Sequence, residues 1–170
     1  MSGDLSDFEP GVLALADALR AAGGWRLATA ESCTGGLIAA ACTAVAGSSD
    51  WFERAFVSYS NAAKTELLGV DAALIEAHGA VSEEVARAMA AGALARAPVQ
   101  IAVAVTGIAG PGGAVPGKPV GTVWLGWATA SGVGARLLQL GGDRGAVRAQ
   151  TVHLALQQAL HLARAAAGAR

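Results

Sequence analysis

Charged side chains are scarce in this 170-residue chain: they make up 15% of it, and 12 Lys and Arg against 13 Asp and Glu leave a formal net charge of −1. A nucleic-acid backbone is held by several cations in one stripe, and ten arginines with two lysines, none of them clustered, build no such stripe. Nucleic acid is therefore not expected as a partner. Cysteine is rarer still: Cys33 and Cys42, with eight residues between them, supply neither a disulfide framework nor Cys/His metal-ligand spacing. No metal is expected. The first ten residues are acidic and lack the basic and apolar regions of a secretory signal, so the chain is expected in the cytoplasm with reduced thiols.

The low charge leaves long neutral runs, which raises the question of a membrane. Residues 97–117 carry no charge, but Gly107, Gly110, Pro111, Gly112, Gly113 and Pro116 interrupt them, and residues 32–49 are studded with Ser, Thr and Gly. Neither run makes a spanning helix, and no membrane is expected. What the chain has in abundance is small residues, with 42 alanines and 23 glycines within a composition that is 54% hydrophobic. The length suits one domain, residues 1–170, burying roughly two-thirds of the surface that its unfolded chain exposes.

Hydrophobic spacing predicts the elements. Leu5, Phe8, Val12, Leu15 and Leu19 recur at helical steps, with Pro10 in the first turn and Gly23-Gly24 after the end. A strand is predicted over 25–29, a helix over 34–45, a strand over 56–60 and a helix over 61–68 stopped by Gly69. Ser82 before Glu83 and Glu84 reads as an N-cap with an acidic first turn, opening a helix to about Arg96. A buried strand over 100–105 follows, then a Gly/Pro loop over 107–119. Strands over 122–130 and 135–140 flank the turn-like Ser131-Gly132-Val133-Gly134, and a helix runs from 144 to about 166. Helices alternating with strands, plus one hairpin, predict a single three-layer α/β/α domain with a mixed sheet.

Three segments could carry chemistry. The loop from Gly112 to Lys118 nearly spells a phosphate-binding loop, but Pro119 stands where a hydroxyl is needed and a strand follows where a helix is needed. A nucleotide triphosphatase is rejected, and the loop is kept as a candidate pocket wall. Next, Ser32 lies in the bend between a strand and the helix opened by Gly35-Gly36, where backbone N–H groups without intrahelical partners could hold an oxyanion. The plainer alternative is that Ser32 or Thr34 merely caps that helix. Third, Tyr59 is the only tyrosine and Lys64 one of two lysines, and both fall at the next strand-to-helix junction. Lysine, unlike arginine, loses its proton when desolvated and can then serve as the base for a serine hydroxyl, with a phenol relaying the proton. A surface lysine beside a half-buried tyrosine is the competing reading. His78, His153 and His161 sit in no such junction, and Cys33 is the rival nucleophile.

Seven ordered blocks carry a resemblance: AESCTGG (30–36), AGSSDWF (46–52), SYSNAAK (58–64), HGAVSE (78–83), TGIAGP (106–111), KPVGTV (118–123) and GDR (142–144). Together they resemble the nicotinamide-nucleotide amidase family, the C-terminal domain of the competence-damage-inducible protein CinA, in its stand-alone form. The resemblance implies hydrolysis of the carboxamide of nicotinamide mononucleotide to nicotinate mononucleotide and ammonia, with no cofactor. It implies Ser32 as nucleophile, Lys64 as base and Tyr59 as relay, with an oxyanion hole from the Thr34, Gly35 and Gly36 backbone. It further implies substrate contacts from Ser48, Asn61, Thr106, Gly107 and Arg144, the last toward the phosphate. Residues 112–117 depart from the family pattern. Two other functions remain open from the residues themselves: a serine amidase for another small amide, and a nucleotide-binding domain without turnover. A homo-oligomer, in the first instance a dimer, is a further expectation, with Trp51, Phe52, Trp124 and Trp127 as candidates for an apolar interface or for the core.

Overall fold

The computed structural model describes residues 4–169. Strand β1 (Leu27–Glu31) lies parallel between β2 (Phe52–Val57) and β3 (Ile101–Gly107), while β4 (Thr122–Thr129) and β5 (Gly132–Gln139) continue the sheet antiparallel beyond β3. Helices α1 (Glu9–Ala21), α2 (Leu37–Thr43) and α6 (Arg144–Gly168) cover one face. The other carries α3 (Asn61–Leu68), α4 (Ala72–His78) and α5 (Glu83–Ala95). The α/β/α architecture with a mixed sheet is thus the one expected from the alternation of elements.

Covering both faces explains the composition. Strand β1 is buried throughout and β3 nearly so, which is why β1 reads Leu-Ala-Thr-Ala before Glu31 and β3 reads Ile-Ala-Val-Ala-Val-Thr rather than as an alternation of apolar and charged residues. Small residues let the helices come close: a Cβ on Gly126 of β4 would collide with the Ala86 carbonyl of α5. On the opposite face, Phe8, Val12, Leu15 and Leu19 of the first helical stretch pack with Val147, Val152 and Leu156 of α6 in one core. Helix α5 is capped as predicted, Val85 N donating to Ser82 Oγ at 3.3 Å.

Several boundaries differ from the sequence expectation, each for a physical reason. Strand β1 begins two residues late and ends on Glu31, a carboxylate that is fully buried. Strand β2 covers 52–57 instead of 56–60, because Glu53 and Arg54, which break the apolar pattern, sit at a sheet edge, where Glu53 pairs with both Arg54 and Arg26. Helix α2 starts at Leu37, after a turn in which Gly35 and Gly36 take φ of +60° and +97°, left-handed backbone suited to glycine. Strand β5 starts at Gly132, and its Gly134 is no turn residue: the Trp127 indole lies across it where a Cβ would stand. Helix α4, unread in the sequence, is capped by Asp71, whose carboxylate accepts from Ala73 N at 2.9 Å.

Of the four aromatics considered for an interface, Trp51 is buried in the core, and Phe52 and Trp127 pack against that core; Trp124 is half-buried. No helix among the described residues is long and apolar enough to cross a membrane.

Candidate active site

In an open α/β sheet, ligands bind beyond the carboxyl ends of the parallel strands, where successive crossovers leave to opposite faces. The chain crosses from β1 to β2 by way of α2 on one face and returns from β2 to β3 by way of α3, α4 and α5 on the other. The resulting crevice lies at the ends of β1, β2 and β3. These ends are tied together, Ser32 N donating to Val105 O at 3.1 Å and Ser58 N to Glu31 O at 2.9 Å. Ser32 and Tyr59 therefore leave adjacent strands side by side.

A cavity of about 230 Å³ occupies the crevice. Ser32, Tyr59, Lys64, Asn61, Thr106, Gly107 and Arg144 all line it, seven residues named from sequence and drawn from four different segments. Its remaining walls are Cys33, Ala80, Val81 and Ala109. Ala80 and Val81, in the connection between α4 and α5, fall in the block over 78–83 but have no chemical signature of their own.

Lys64 is 1% exposed. Its Nζ lies 3.1 Å from Ser32 Oγ, 3.0 Å from the Ser58 carbonyl and 3.3 Å from the Tyr59 carbonyl. Helix α3 delivers it there because Ser60 caps the helix, its Oγ accepting from Ala63 N, and so turns the chain inward one residue before Asn61. No carboxylate pairs with Lys64 among the described residues. Burial lowers the ammonium's pKa below the ordinary lysine value, against an opposing pull from Cys33.

Tyr59 sits at the mouth, 60% exposed, and its Oη accepts from Arg144 Nη2 at 3.2 Å. Arg144 also donates from Nη1 to the Gly110 carbonyl at 2.8 Å, which fixes the guanidinium between the β2 end and the loop after β3. It is the one permanently charged group in the lining. Thr106 is buried and donates to the Ala80 carbonyl at 2.8 Å, tying the end of β3 to the connection between α4 and α5. Gly107 has no room for a side chain, since a Cβ there would meet Val123.

Three sequence expectations meet a different placement in the structure. Ser48 lies in a short helical turn immediately before β2, at the amino ends of the parallel strands, and does not line the cavity. The Gly/Pro loop supplies only its first residues, Gly107 and Ala109, while the segment resembling a phosphate loop is largely exposed and lines nothing here. The oxyanion hole also changes. Gly35 N donates to Ser32 O at 3.0 Å and Gly36 N to the Glu31 carboxylate at 3.1 Å, so both amides are already committed. Thr34 N keeps its freedom, having no hydrogen-bond acceptor among the described residues, and Cys33 N faces only its own thiol.

Cys33, the rival nucleophile, is 5% exposed. Burial, with a smaller contribution from the Glu31 charge, pushes its thiol up to about 12, so it stays protonated at neutral pH.

Comparison with known proteins agrees with the blocks that carry the site. The CinA C-terminal domain family model matches residues 12–163. The chain belongs to the CinA C-terminal domain family. Among its relatives, a nicotinamide-nucleotide amidohydrolase PncC from Enterobacter agglomerans is 56% identical over 138 residues, covering 81% of this chain and 84% of that one. The protein of the same name from Pseudomonas putida is 56% identical over 137 residues, covering 81% and 86%. In three dimensions, a CinA superfamily protein from Klebsiella pneumoniae 700603 superposes with a TM-score of 0.86 at 39% identity, covering 91% of this chain and 96% of that one. The stretch shared with the family model contains every residue lining the cavity.

Proposed function

We propose that the chain is a nicotinamide-nucleotide amidohydrolase that converts nicotinamide mononucleotide and water to nicotinate mononucleotide and ammonia through a Ser32 acyl-enzyme. The observation that carries this reading is Lys64 Nζ, buried and 3.1 Å from Ser32 Oγ. The names of the two amidohydrolase relatives support the substrate.

The surroundings of Lys64 suit a neutral amine. Two of its three neighbours are backbone carbonyls, which only accept. A neutral amine gives its two N–H groups to them and keeps its lone pair for the Ser32 hydroxyl proton. An ammonium would have to donate to all three and would leave the hydroxyl proton without its base.

Ser32 Oγ attacks the carboxamide carbon as Lys64 takes its proton, and the carbonyl oxygen becomes an oxyanion facing the Cys33 and Thr34 N–H groups. An amide directly following the nucleophile is a recurrent oxyanion donor in serine hydrolases. The C–N bond then breaks. Tyr59 gives its hydroxyl proton to the departing nitrogen and is reprotonated from Lys64, so ammonia leaves and the enzyme holds a Ser32 ester. Water attacks that ester with Lys64 again as base, releasing the carboxylate and restoring the Ser32 hydroxyl. Asn61, Thr106 and Gly107 line the chamber around the ring.

The chamber is smaller than the roughly 300–1,000 Å³ typical of a pocket enclosing a whole drug-sized ligand. It suits the pyridine ring and its amide, with ribose and phosphate at the mouth, where Arg144 has donors left after binding Gly110 and Tyr59. Ammonia release from nicotinamide mononucleotide by the wild type, abolished in Ser32→Ala and in Lys64→Met with both variants folded, is the expected result. Wild-type turnover in either variant overturns the assignment, and binding without any ammonia release by the wild type overturns the enzyme altogether.

A further inference from the structure

Glu31 is a charged side chain with no part in the chemistry above, and it is fully buried. An isolated carboxylate is costly to desolvate, and no cation pairs with this one among the described residues. Five donors surround it instead. Oε1 accepts from Thr29 Oγ1 at 3.2 Å and Ala39 N at 2.9 Å, and Oε2 accepts from Thr34 Oγ1 at 2.7 Å, Gly36 N at 3.1 Å and Ile38 N at 3.0 Å.

The donors come from three places: strand β1, the turn that carries Ser32, and the first turn of α2. Ordinarily a short side chain at the N-cap position satisfies such helix amides locally. Here the N-cap is Gly36, with no side chain, and the acceptor sits five residues earlier, on the far side of the nucleophile. The carboxylate thus spans Ser32, holding the chain just before it and just after it. Arg148 of α6 completes the grip, donating from Nη2 to the Thr34 carbonyl at 2.9 Å. Thr34 is held at its hydroxyl and at its carbonyl, and its N–H is left for another acceptor.

We propose that Glu31 is a positioning residue for the reaction: by gripping Thr34 and the leading amides of α2, its buried carboxylate sets the turn that aims Ser32 Oγ at Lys64 and presents the Cys33 and Thr34 N–H groups to the oxyanion. This rests on the Ser32 nucleophile of the preceding section. It also explains why the α2 terminus does not itself bind the oxyanion: Glu31 consumes the Gly36, Ile38 and Ala39 amides and places a negative charge against the helix's positive end.

Two threonine variants separate positioning from mere stability, because both remove one hydroxyl from the same carboxylate. Thr29→Val removes it on the strand side, and Thr34→Val on the side of the nucleophile. Steady-state ammonia release and thermal melting are measured for both, with Glu31→Gln as the variant that withdraws an acceptor oxygen. A misplaced nucleophile lowers turnover without loosening substrate, so Thr34→Val and Glu31→Gln are expected to lose about ten- to a hundredfold in kcat while KM stays within about twofold. Thr29→Val is expected to lose comparable melting temperature and keep kcat within about twofold. The acid limb of the pH profile stays with Lys64 in all three. Wild-type kcat in Thr34→Val, or equal losses in Thr29→Val and Thr34→Val, overturns the inference, and the threonine pair decides it even where Glu31→Gln does not fold. Ser32→Ala, assayed alongside, keeps the two readings apart. Turnover surviving in it removes the nucleophile and this inference with it, whereas an inactive Ser32→Ala beside a wild-type Thr34→Val overturns the positioning role alone.

Discussion

Lys64 Nζ and Ser32 Oγ stand 3.1 Å apart although they are 32 positions apart in the chain, and no carboxylate pairs with Lys64 among the described residues. The sheet register produces this meeting. Glu31 pairs with Val57 across β1 and β2, so the residues that follow each strand emerge together, and the Ser60 cap then turns α3 back over Ser32. Replacing Lys64 by arginine puts a permanent cation in place of the proposed base, because a guanidinium does not deprotonate in the working range. Lys64→Arg is expected to lower kcat by about 10²–10⁴, the usual worth of a positioned proton transfer. Ammonia release at saturating substrate checks this, and retention of more than a tenth of wild-type turnover, about 1.4 kcal/mol in barrier, counts against the base.

Burial lowers the pKa of Lys64 in the folded chain, and that has two consequences for pH. The proposed base must be neutral to accept the Ser32 proton, so kcat/KM is expected to rise with pH through the depressed Lys64 pKa and to reach its plateau below the ordinary lysine value of about 10.4. Stability follows the same sign. Between the depressed folded value and the ordinary unfolded one, the unfolded chain binds more protons, so stability rises with pH across that window. Lys64→Met, which binds no proton in either state, is expected to lose that slope. Melting temperatures of wild type and variant across alkaline pH test it; parallel curves would show that Lys64 titrates normally.

Cys33 adjoins Ser32, the proposed nucleophile, and lines the cavity, yet its thiol is pushed up to about 12 by burial first and by the Glu31 charge as a smaller contribution. Alkylating reagents attack thiolates, so iodoacetamide at neutral pH is expected to leave activity intact, and Cys33→Ala is expected to keep turnover while losing about 1 kcal/mol of stability from the deleted buried group. Inactivation that substrate protects against, with label found on Cys33, would contradict this.

The parts of the site that were legible in the sequence are those where scarcity made a residue conspicuous. In a chain with two lysines and one tyrosine, a lysine in the first turn of a helix right after a strand stands out, and helix 61–68 was readable because Ser60 and Gly69 bound it on either side. Ser32 is marked in sequence by its place between a strand and a helix, whereas Ser48 is named by the family resemblance alone, and the strand directions put the two at opposite ends of the sheet. The committed amides of Gly35 and Gly36 were hidden for another reason. A helix N-terminus offers its N–H groups to whatever acceptor arrives, and here the acceptor is Glu31, folded back beneath the turn. Strand β2 was misplaced because an edge strand tolerates charges such as Glu53 and Arg54 that an interior strand would not.

Arg144 supplies the last test, because its two hydrogen bonds and its charge make separable contributions. Its Nη1 and Nη2 hold the Gly110 carbonyl and the Tyr59 hydroxyl, which positions the phenol, and its charge is the only permanent one in the lining. A charge-assisted hydrogen bond to a phosphate is worth about 1.5–3 kcal/mol, roughly 10- to 150-fold in binding. Arg144→Ala is therefore expected to raise KM for nicotinamide mononucleotide by about that factor, with a smaller loss in kcat from the freed Tyr59. Free nicotinamide has no phosphate to lose, so its kcat/KM should fall only by the part that Tyr59 contributes. Arg144→Lys keeps the charge and loses the paired geometry, and it should recover part of the KM and little of the kcat. Equal losses for both substrates in Arg144→Ala would mean that the guanidinium serves Tyr59 alone and that the phosphate is held elsewhere.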